Sequence, residues 1–324
     1  MGVKAGYLLL SLVLLGCEMT SPDNDALDDP IAPRLASIDR LEAHVHTLAE
    51  EIGERNVFRP RALDQAADYI QSVWQEQGYE VIPQVYEARG VDCRNLEITL
   101  AGSQSPNAIL LIGAHYDSVH GSPGANDNGT GVAALLELSR LMSTAQPDIS
   151  VRFVAFVNEE PPFFYWNNMG SMVYAAMAKK RGDDIRLMVS LETIGYYSDE
   201  PRSQRYPPLL SLFYPDRGNF LGFVSNLRSR QWLRRMVSTF QAHSDFPVQS
   251  VAMVEWVPGI GWSDHLAFWR QGYPALMVTD TAPYRYPYYH TAADTPDKVD
   301  YEALSRVTDG LYGTFSALAT DPGS

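Results

Sequence analysis

The chain has 324 residues, 45% of them hydrophobic, and its 39 acidic residues outnumber its 25 basic ones to give a net charge of −14. A chain of this length and composition can bury a large core, which excludes disorder throughout. The negative charge excludes nucleic acid as an expected partner, because proteins that follow a phosphate backbone need clustered positive charge.

The chain opens with one lysine and an apolar run over residues 7–15. This run is shorter than the ~20 residues that a membrane-spanning helix needs, and it is typical of an export signal. The ending Leu14-Leu15-Gly16-Cys17 resembles the lipobox of bacterial lipoproteins, which implies cleavage before Cys17 and acylation there. The alternative is an ordinary signal peptide followed by an incidental cysteine.

Three parts are predicted along the chain: a signal peptide over residues 1–16, a tether over 17–33 and one folded domain over 34–324. The tether is rich in Asp and Pro and shows no apolar period, which is typical of a solvated linker. Acyl chains on Cys17 would hold an exported domain on a membrane of the cell envelope. The sequence leaves open which leaflet holds the anchor.

Helical and strand patterns alternate in the folded part. Helices are predicted over 35–52, 63–74, 132–142, 172–180, 232–240 and 304–318, where apolar residues recur at helical spacing. Strands are predicted for the runs YEVIPQVYE, NLEITLAG, AILLIGAHY, VRFVAFV, IRLMVSLETI, VQSVAMV and YPALMVTD. The segment 198–222, with four prolines, is predicted to be a long ordered loop. The alternation predicts a single three-layer α/β domain, with a mostly parallel mixed sheet flanked by helices on both faces.

Polar side chains follow several of these strands at the point where each strand ends, or lie in the turns nearby. In open α/β sheets, ligands bind beyond the carboxyl ends of the strands, so these side chains are expected to share one rim. In chain order they are His115, Asp117, Asp127, Glu159, Glu160, Glu192 and His290.

Imidazole and carboxylate groups gathered on one rim suit zinc, which takes nitrogen and oxygen ligands. One ion would not use all of them, whereas two ions bridged by a carboxylate and a water would hold a hydroxide nucleophile and polarise a carbonyl. The adjacent Glu159 and Glu160 then have separate uses, because one can bind metal while the other remains free as a general base.

Six motifs resemble the co-catalytic zinc aminopeptidases, whose relatives include glutamate carboxypeptidase II and the glutaminyl cyclases. They occur in the family's order and cover roughly residues 35–320. The motifs are GAHYDS, GANDNGTGVAALLEL, FVNEE with MGS shortly after it, SLETIGY, SDHLAFWRQGYPALM and HTAADT.

The resemblance implies a role for each residue of the rim. It implies that Asp127 bridges two zinc ions, that Glu160 and His290 complete one site, and that His115 and Glu192 complete the other. It also implies that Glu159 is the general base, and that Asp117 orients the His115 imidazole.

The chain departs from the family pattern at two places. Glu192 stands where the family usually has aspartate, which leaves three alternatives: Glu192 still binds a second zinc, the second zinc is weak or absent, or the metal differs. After the paired glutamates, PPFFYWNNMGS replaces a shorter link, and its aromatic residues 163–166 are expected to reshape the pocket wall.

Several residues carry a plainer interpretation. Asp127 alone would be interpreted as a helix N-cap. Asp264 and His265 in SDH resemble a family motif near the active site, where they would support the ligands, and helix capping is the equal alternative. His44, His46, His120 and His243 are expected to be structural. The tyrosines Tyr284, Tyr286, Tyr288 and Tyr289 either pack or line the pocket and stabilise an oxyanion.

The expected protein is an exported, lipid-anchored zinc exopeptidase that removes N-terminal residues from peptides. Attack by the bridging hydroxide, with Glu159 moving the proton, would cleave the bond. Two alternatives remain: a one-zinc glutaminyl cyclase acting on N-terminal glutamine, and a metal-free binding module with a peptidase fold. The preferred side chain and the oligomeric state cannot be determined from the sequence.

Overall fold

The computed structural model describes residues 35–207 and 210–320. The predicted signal peptide and tether, including Cys17, lie outside the described residues. Within the described ranges no helix is long and apolar enough to cross a membrane.

The described residues form eight strands in a single mixed sheet. The strands are β1 (Ile82–Ala88), β2 (Val91–Leu100), β3 (Ser105–His115), β4 (Ile149–Phe156), β5 (Asp184–Glu192), β6 (Leu221–Asn226), β7 (Val248–Met253) and β8 (Ala275–Thr279). Their order across the sheet is β1-β2-β4-β3-β5-β8-β6-β7. The central strands β4, β3, β5 and β8 are parallel, and β7 is parallel to β6. Strands β1–β2, β2–β4 and β6–β8 pair antiparallel, so the predicted mostly parallel α/β sheet is confirmed.

Helices cover the two faces of this sheet. They are α1 (Ile38–His46), α2 (Pro60–Glu76), α3 (Gly131–Met142), α4 (Gly170–Arg181), α5 (Arg230–His243), α6 (His265–Arg270), α7 (Ala282–Arg285) and α8 (Tyr301–Thr320). Helix α8 packs against α1, α3 and α5, while α4 and α6 pack together. Helix α3 is buried almost all round, as expected of a helix whose apolar residues are not confined to one stripe.

One strand departs from the sequence interpretation. The loop was predicted to extend to residue 222, but β6 begins at Leu221 and lies between β8 and β7. Before it, the described part of the segment has a short 3₁₀ helix at Leu210–Leu212 and a bridge between Ser198 and Gly218, and is otherwise irregular. The loop prediction therefore holds only up to the start of β6.

The parallel strands bring their carboxyl ends to one edge of the sheet. Strand β3 ends at His115 and β5 ends at Glu192, and the turn after β4 carries Glu159 and Glu160. Strand β3 lies between β4 and β5 in the sheet. The chain after β3 leads to β4 on one side, whereas the chain after β5 continues to the strands on the other side, so the connections diverge at this edge and leave a crevice there.

Candidate active site

Two triads of possible metal ligands meet at this edge and share Asp127. In the first, His115 Nε2 lies 3.5 Å from Asp127 Oδ1 and 3.3 Å from Glu192 Oε2. In the second, His290 Nε2 lies 3.2 Å from Asp127 Oδ2 and 3.3 Å from Glu160 Oε2. The ligand atoms of each triad all lie within 4.8 Å of one another. Each oxygen of Asp127 faces a different histidine, which is the arrangement that a bridging carboxylate needs.

Several atoms of the triads are buried and have no hydrogen-bond partner within the protein. They are His115 Nε2, Asp127 Oδ2 and Glu160 Oε1. Buried polar atoms are nearly always paired, so three unpaired atoms pointing to one centre indicate a missing partner. Imidazole nitrogen and carboxylate oxygen are ligands that zinc prefers, so the residues present fit this metal.

The pKa values of Glu160, Glu192 and His290 are all shifted toward the protonated forms. Burial raises the pKa of Glu160 to about 7, and the charge of Asp127 adds to the rise. Burial also raises the pKa of Glu192. For His290, burial lowers the pKa, but the adjacent carboxylates of Asp127 and Glu160 outweigh it and raise the value to about 10. A bound metal would displace these protons.

Glu159 lies beside the triads without belonging to either one. Its Oε2 is 4.0 Å from His115 Nε2, and the residue is only 6% exposed. Burial raises its pKa well above the usual value, and the neighbouring carboxylates of Glu192 and Glu160 raise it further against the opposing charge of His115.

Asp117 holds the turn that carries both glutamates. Its Oδ1 accepts a hydrogen bond from the Glu159 backbone N–H at 3.0 Å, and its Oδ2 accepts one from Glu160 at 3.1 Å. The Nδ1 of His115 is 3.2 Å from the backbone oxygen of Asp117 and 3.5 Å from its Oδ1. Asp117 therefore contacts the imidazole as expected, and it also fixes the backbone of the paired glutamates.

Two further carboxylates position Asp127, and sequence reasoning did not single them out. Asp294 accepts hydrogen bonds from the backbone N–H groups of Asn126 at 2.8 Å and Asp127 at 3.1 Å, and the Tyr286 hydroxyl donates to it at 2.7 Å. Asp280 accepts one from the Asn126 side chain at 2.9 Å. Two sequence features could have identified them: Asp294 is the acidic residue of HTAADT, and Asp280 directly follows β8.

The SDH motif helps to hold the Glu192 side chain in the first triad. The Ser263 hydroxyl donates to Glu192 Oε2 at 2.7 Å, and Ser190 lies 2.9 Å from Ser263. The next residue, Asp264, occupies the N-cap position of α6 but makes no capping hydrogen bond, and both its carboxylate oxygens are buried without a partner. Burial lowers the pKa of His265 to about 4, so this imidazole is neutral at pH 7.

The structural interpretations of Asp127 and of four histidines have different outcomes. Thr130, not Asp127, is the N-cap of α3, so the capping alternative for Asp127 is not what the structure has. The histidines expected to be structural contact local partners away from the triads: His44 with Tyr69, His46 with Glu50, His120 with Phe58 and His243 with Thr239.

An apolar pocket opens beside Glu192 and encloses about 800 Å³ including its mouth. Tyr289 lines it and stacks on His290 with ring centroids 3.8 Å apart. Burial raises the pKa of Tyr289, and the charges of Asp127 and Glu160 raise it further. Tyr284 also lines the pocket and stacks on Trp262.

The predicted aromatic wall lies elsewhere. Phe163 and Trp166 line a separate hollow together with Arg89, and none of the residues 163–166 lines the apolar pocket. The wall of the pocket comes instead from the irregular segment before β6, through residues such as Gln204, Tyr206 and Leu210. The long loop, rather than the insertion after the glutamates, shapes this pocket.

Comparison with known proteins gives relatives along most of the chain. The protein is 38% identical over 291 residues to the uncharacterised protein YfbL of Escherichia coli (strain K12), covering 87% of this chain and 88% of that protein. It is 28% identical over 205 residues to the aminopeptidase YwaD of Bacillus subtilis (strain 168), covering 62% of this chain and 39% of YwaD.

Solved structures share the fold. A zinc aminopeptidase from Bacillus subtilis superposes with a TM-score of 0.72 at 15% identity and covers 90% of this chain and 98% of its own. The glutaminyl cyclase of Fimbriiglobus ruber gives a TM-score of 0.64 at 19% identity, covering 93% and 99%. The model of peptidase family M28 matches residues 95–314, so the chain belongs to peptidase family M28.

Proposed function

We propose that the protein is a zinc-dependent aminopeptidase that hydrolyses the first peptide bond of its substrates. The observation that carries the proposal is the pair of ligand triads that share Asp127, with a separate buried carboxylate, Glu159, beside them. Zinc held there would act as a Lewis acid on the scissile carbonyl and would make a bound water acidic enough to attack it.

The residues of the chain then have distinct tasks. Glu159 accepts the proton of the attacking water and delivers it to the leaving amine. Asp117 keeps that carboxylate in place by holding its backbone N–H. Tyr289, which lines the pocket and stacks on His290, donates a hydrogen bond to the carbonyl oxygen as negative charge develops on it. The apolar pocket receives the N-terminal side chain.

A glutaminyl cyclase is the second candidate, because a longer carboxylate stands at position 192. The triad with His115 depends on this longer side chain, so a second ion depends on it as well. A cyclase would need only the other triad.

The deciding experiment measures zinc per chain by elemental analysis and offers two substrates, a leucyl anilide and a glutaminyl peptide. The aminopeptidase proposal expects two zinc ions and anilide hydrolysis that a chelator abolishes and added zinc restores. One zinc ion with release of a cyclised product would establish the cyclase instead. A protein that binds no zinc and turns over neither substrate would be a binding module.

A further inference from the structure

A hollow lies on the opposite side of the candidate metal site from the apolar pocket. The apolar pocket takes lining residues from β6, β7 and β8, which are on the β5 side of β3 in the sheet. The hollow is lined by Arg89, in the turn between β1 and β2, and by residues between 162 and 168, in the turn after β4. Strands β1, β2 and β4 are on the other side of β3. A peptide whose scissile bond lies at the metal site would therefore extend toward the pocket in one direction and toward the hollow in the other.

The hollow opens at the same edge of the sheet as the metal site. Strands β1 and β4 run in the same direction, since each pairs antiparallel with β2, so the turn after Ala88 lies beyond the carboxyl end of β4. Leu96 pairs with Ala155 near the end of β4, whereas the hairpin continues back to Val91. At ~3.3 Å per residue the hairpin projects roughly 13 Å past β4 and forms a wall beside the turn that carries both glutamates.

Hydrogen bonds join this wall to the turn. The Tyr86 hydroxyl donates to Asn168 O at 3.0 Å and accepts a hydrogen bond from Asn158 Nδ2 at 3.1 Å. On the other side of the hollow, the backbone N–H of Phe163 donates to Glu160 O at 3.0 Å. The lining of the hollow therefore continues directly from the turn that carries the metal ligand Glu160.

Arg89 gives the hollow a positive charge. It is the one charged side chain among the described lining residues. Its guanidinium lies 5.5 Å from the centroid of the Phe58 ring, and within the described residues it forms no ion pair. The acidic residues nearest to it in the chain, Glu87 and Asp92, pair across the hairpin and lie on the face opposite Tyr86, which faces the turn. The charge of Arg89 is therefore available to an anion that enters the hollow.

The rest of the lining suits a carboxylate at the end of a peptide. Trp166 is 70% exposed, although its backbone N–H donates to Phe163 O at 2.8 Å and its carbonyl accepts from Met169 at 3.0 Å. An exposed tryptophan on a held backbone is typical of a binding surface. The guanidinium and the side-chain amides of Asn167 and Asn168 are donors for a carboxylate. With a net charge of −14, the rest of the protein repels such a group.

The strand spacing sets the length of peptide that would reach Arg89. Strand β2, which begins beside Arg89, is two positions from β3, so the hollow lies about 10 Å across the sheet from the end of β3. An extended peptide covers about 3.4 Å per residue. A carboxylate about two or three residues beyond the cleaved bond would therefore come within reach of the Arg89 side chain.

We propose that the hollow binds the C-terminal carboxylate of short peptides through Arg89, so that the enzyme prefers tripeptides and tetrapeptides with a free carboxyl end. The inference rests on the proposed aminopeptidase function, because it assigns the part of the substrate beyond the cleaved bond to the hollow.

The test measures kcat/KM on the zinc-loaded protein for the free acid and the C-terminal amide of each peptide in a series. The peptides are Leu-Phe, Leu-Gly-Phe, Leu-Gly-Gly-Phe and the same sequence with five glycines. For the tripeptide and the tetrapeptide the acid should exceed the amide by about fivefold or more, because only the carboxylate forms a charge-assisted hydrogen bond with Arg89. The ratio should be smaller for the dipeptide, whose carboxylate stops short of the hollow, and for the longest peptide, whose carboxylate passes beyond it.

Arg89→Gln removes the charge and should lower the acid-to-amide ratio of the tripeptide and the tetrapeptide to about one. Arg186→Gln is the matched control, since it makes the same change at an exposed arginine near the start of β5, at the opposite edge of the sheet. It should leave the ratio unchanged. Three results would overturn the inference while leaving the aminopeptidase proposal intact: a wild-type ratio at or below one, a ratio that is the same at every length, and a ratio that Arg89→Gln does not change.

If neither an anilide nor a peptide is hydrolysed, the aminopeptidase proposal fails and calorimetry decides the hollow. N-Acetyl-Gly-Gly-Phe, whose blocked amine cannot bind as an N-terminus, should then bind the zinc-loaded wild type about fivefold more tightly than its C-terminal amide, and Arg89→Gln should remove the difference. Equal binding of the acid and the amide would overturn the inference.

Discussion

Glu159 and Glu160 are neighbours in the chain, yet their side chains have different surroundings. Glu160 Oε2 lies 3.3 Å from His290 Nε2, within a triad that shares Asp127. Glu159 belongs to no triad, and its nearest histidine nitrogen is 4.0 Å away. The two oxygens of Asp117 hold one backbone N–H each, so the turn is fixed while the side chains diverge. This divergence allows one residue to bind metal and the other to move protons.

Replacing the base should separate catalysis from metal binding. Glu159→Gln keeps the size of the side chain but cannot accept a proton, so kcat should fall by about 10²–10⁴-fold. Zinc content should stay the same, because Glu159 lies outside both triads. Steady-state kinetics and elemental analysis of the same sample measure the two effects.

Glu160→Gln is the matched control, since it makes the same chemical change one residue further along. It removes a charged ligand atom and should lower the zinc content as well as the activity. Near-normal turnover in Glu159→Gln, or a loss of zinc equal to that of Glu160→Gln, would contradict the separate roles.

The residues of the rim could be predicted from the sequence, because each of them follows a strand or lies in a motif. It did not single out Asp294 or Asp280, whose function is to accept backbone N–H and amide groups of residues 126–127 from far along the chain. Such contacts depend on how loops meet in the folded protein. For the same reason the bonds from Asp117 to the backbone of both glutamates could not be read from its position after His115.

At the scale of elements, the turn after β4 is held by the start of α4. The backbone N–H of Gly170 donates to Val157 O at 2.8 Å, which ties the helix to the strand end just before the glutamates. A Cβ at Gly170 would lie 2.2 Å from Val157 O and 2.4 Å from Asn95 Oδ1. No real Cβ has such contacts, so the glycine of the MGS motif is required by close approach.

Gly170→Ala should therefore force the helix away from the strand end. Overpacking of this kind costs about 1–3 kcal/mol, and the displacement of the turn should also lower kcat. Urea unfolding measures the free energy, and anilide hydrolysis measures the activity. Ala176→Ser, at an exposed position on the same helix, should leave both quantities close to those of the wild type. An unchanged unfolding free energy in Gly170→Ala would show that the helix end has more room than the structure gives it.

The predicted helices and strands were largely those observed, because apolar periodicity persists where an element buries one or both faces. The exceptions were the short helices α6 and α7, which were not predicted, and strand β6. Its sequence LGFVSN is short, carries a glycine at its second position and follows a proline-rich segment. These are loop signals, and only pairing with β8 and β7 makes the segment a strand. Pairing with neighbouring strands therefore outweighed the local sequence preference for a loop at a strand that lines the apolar pocket.

At the scale of the whole molecule, the acidic cluster makes stability depend on metal and pH together. Burial raises the pKa of Glu160 from 4.5 to about 7 and that of Asp294 from 3.8 to about 6. A carboxyl whose pKa is higher in the folded state stabilises that state below its unfolded pKa, and this contribution is lost as pH rises toward the folded pKa. The contribution of these carboxyls to the stability of the metal-free protein should therefore be lost as pH rises from 4.5 to about 7.

Zinc should remove this loss, because it replaces the protons that the cluster otherwise needs. The difference in Tm between zinc-loaded and chelator-treated protein should grow by roughly 3 °C or more from about pH 5 to about pH 7. Thermal unfolding followed by circular dichroism measures it. A difference that is constant or shrinks over this range would mean that the buried carboxyls do not hold the metal.

Attachment to a membrane would depend on residues outside the described ranges. We propose that Cys17 carries acyl chains, each methylene contributing about 0.8 kcal/mol when buried in lipid. Cys17→Ser, expressed in a bacterial host, should move the protein from the membrane fraction to the soluble fraction and abolish labelling by radioactive palmitate. Cys93→Ser replaces the only other cysteine, which is buried in β2, and should leave fractionation and labelling unchanged. Both variants should keep anilide hydrolysis, because Cys93 is not one of the triad residues and the predicted tether separates Cys17 from the folded domain. Labelling that persists in Cys17→Ser would refute the anchor without touching the proposed chemistry.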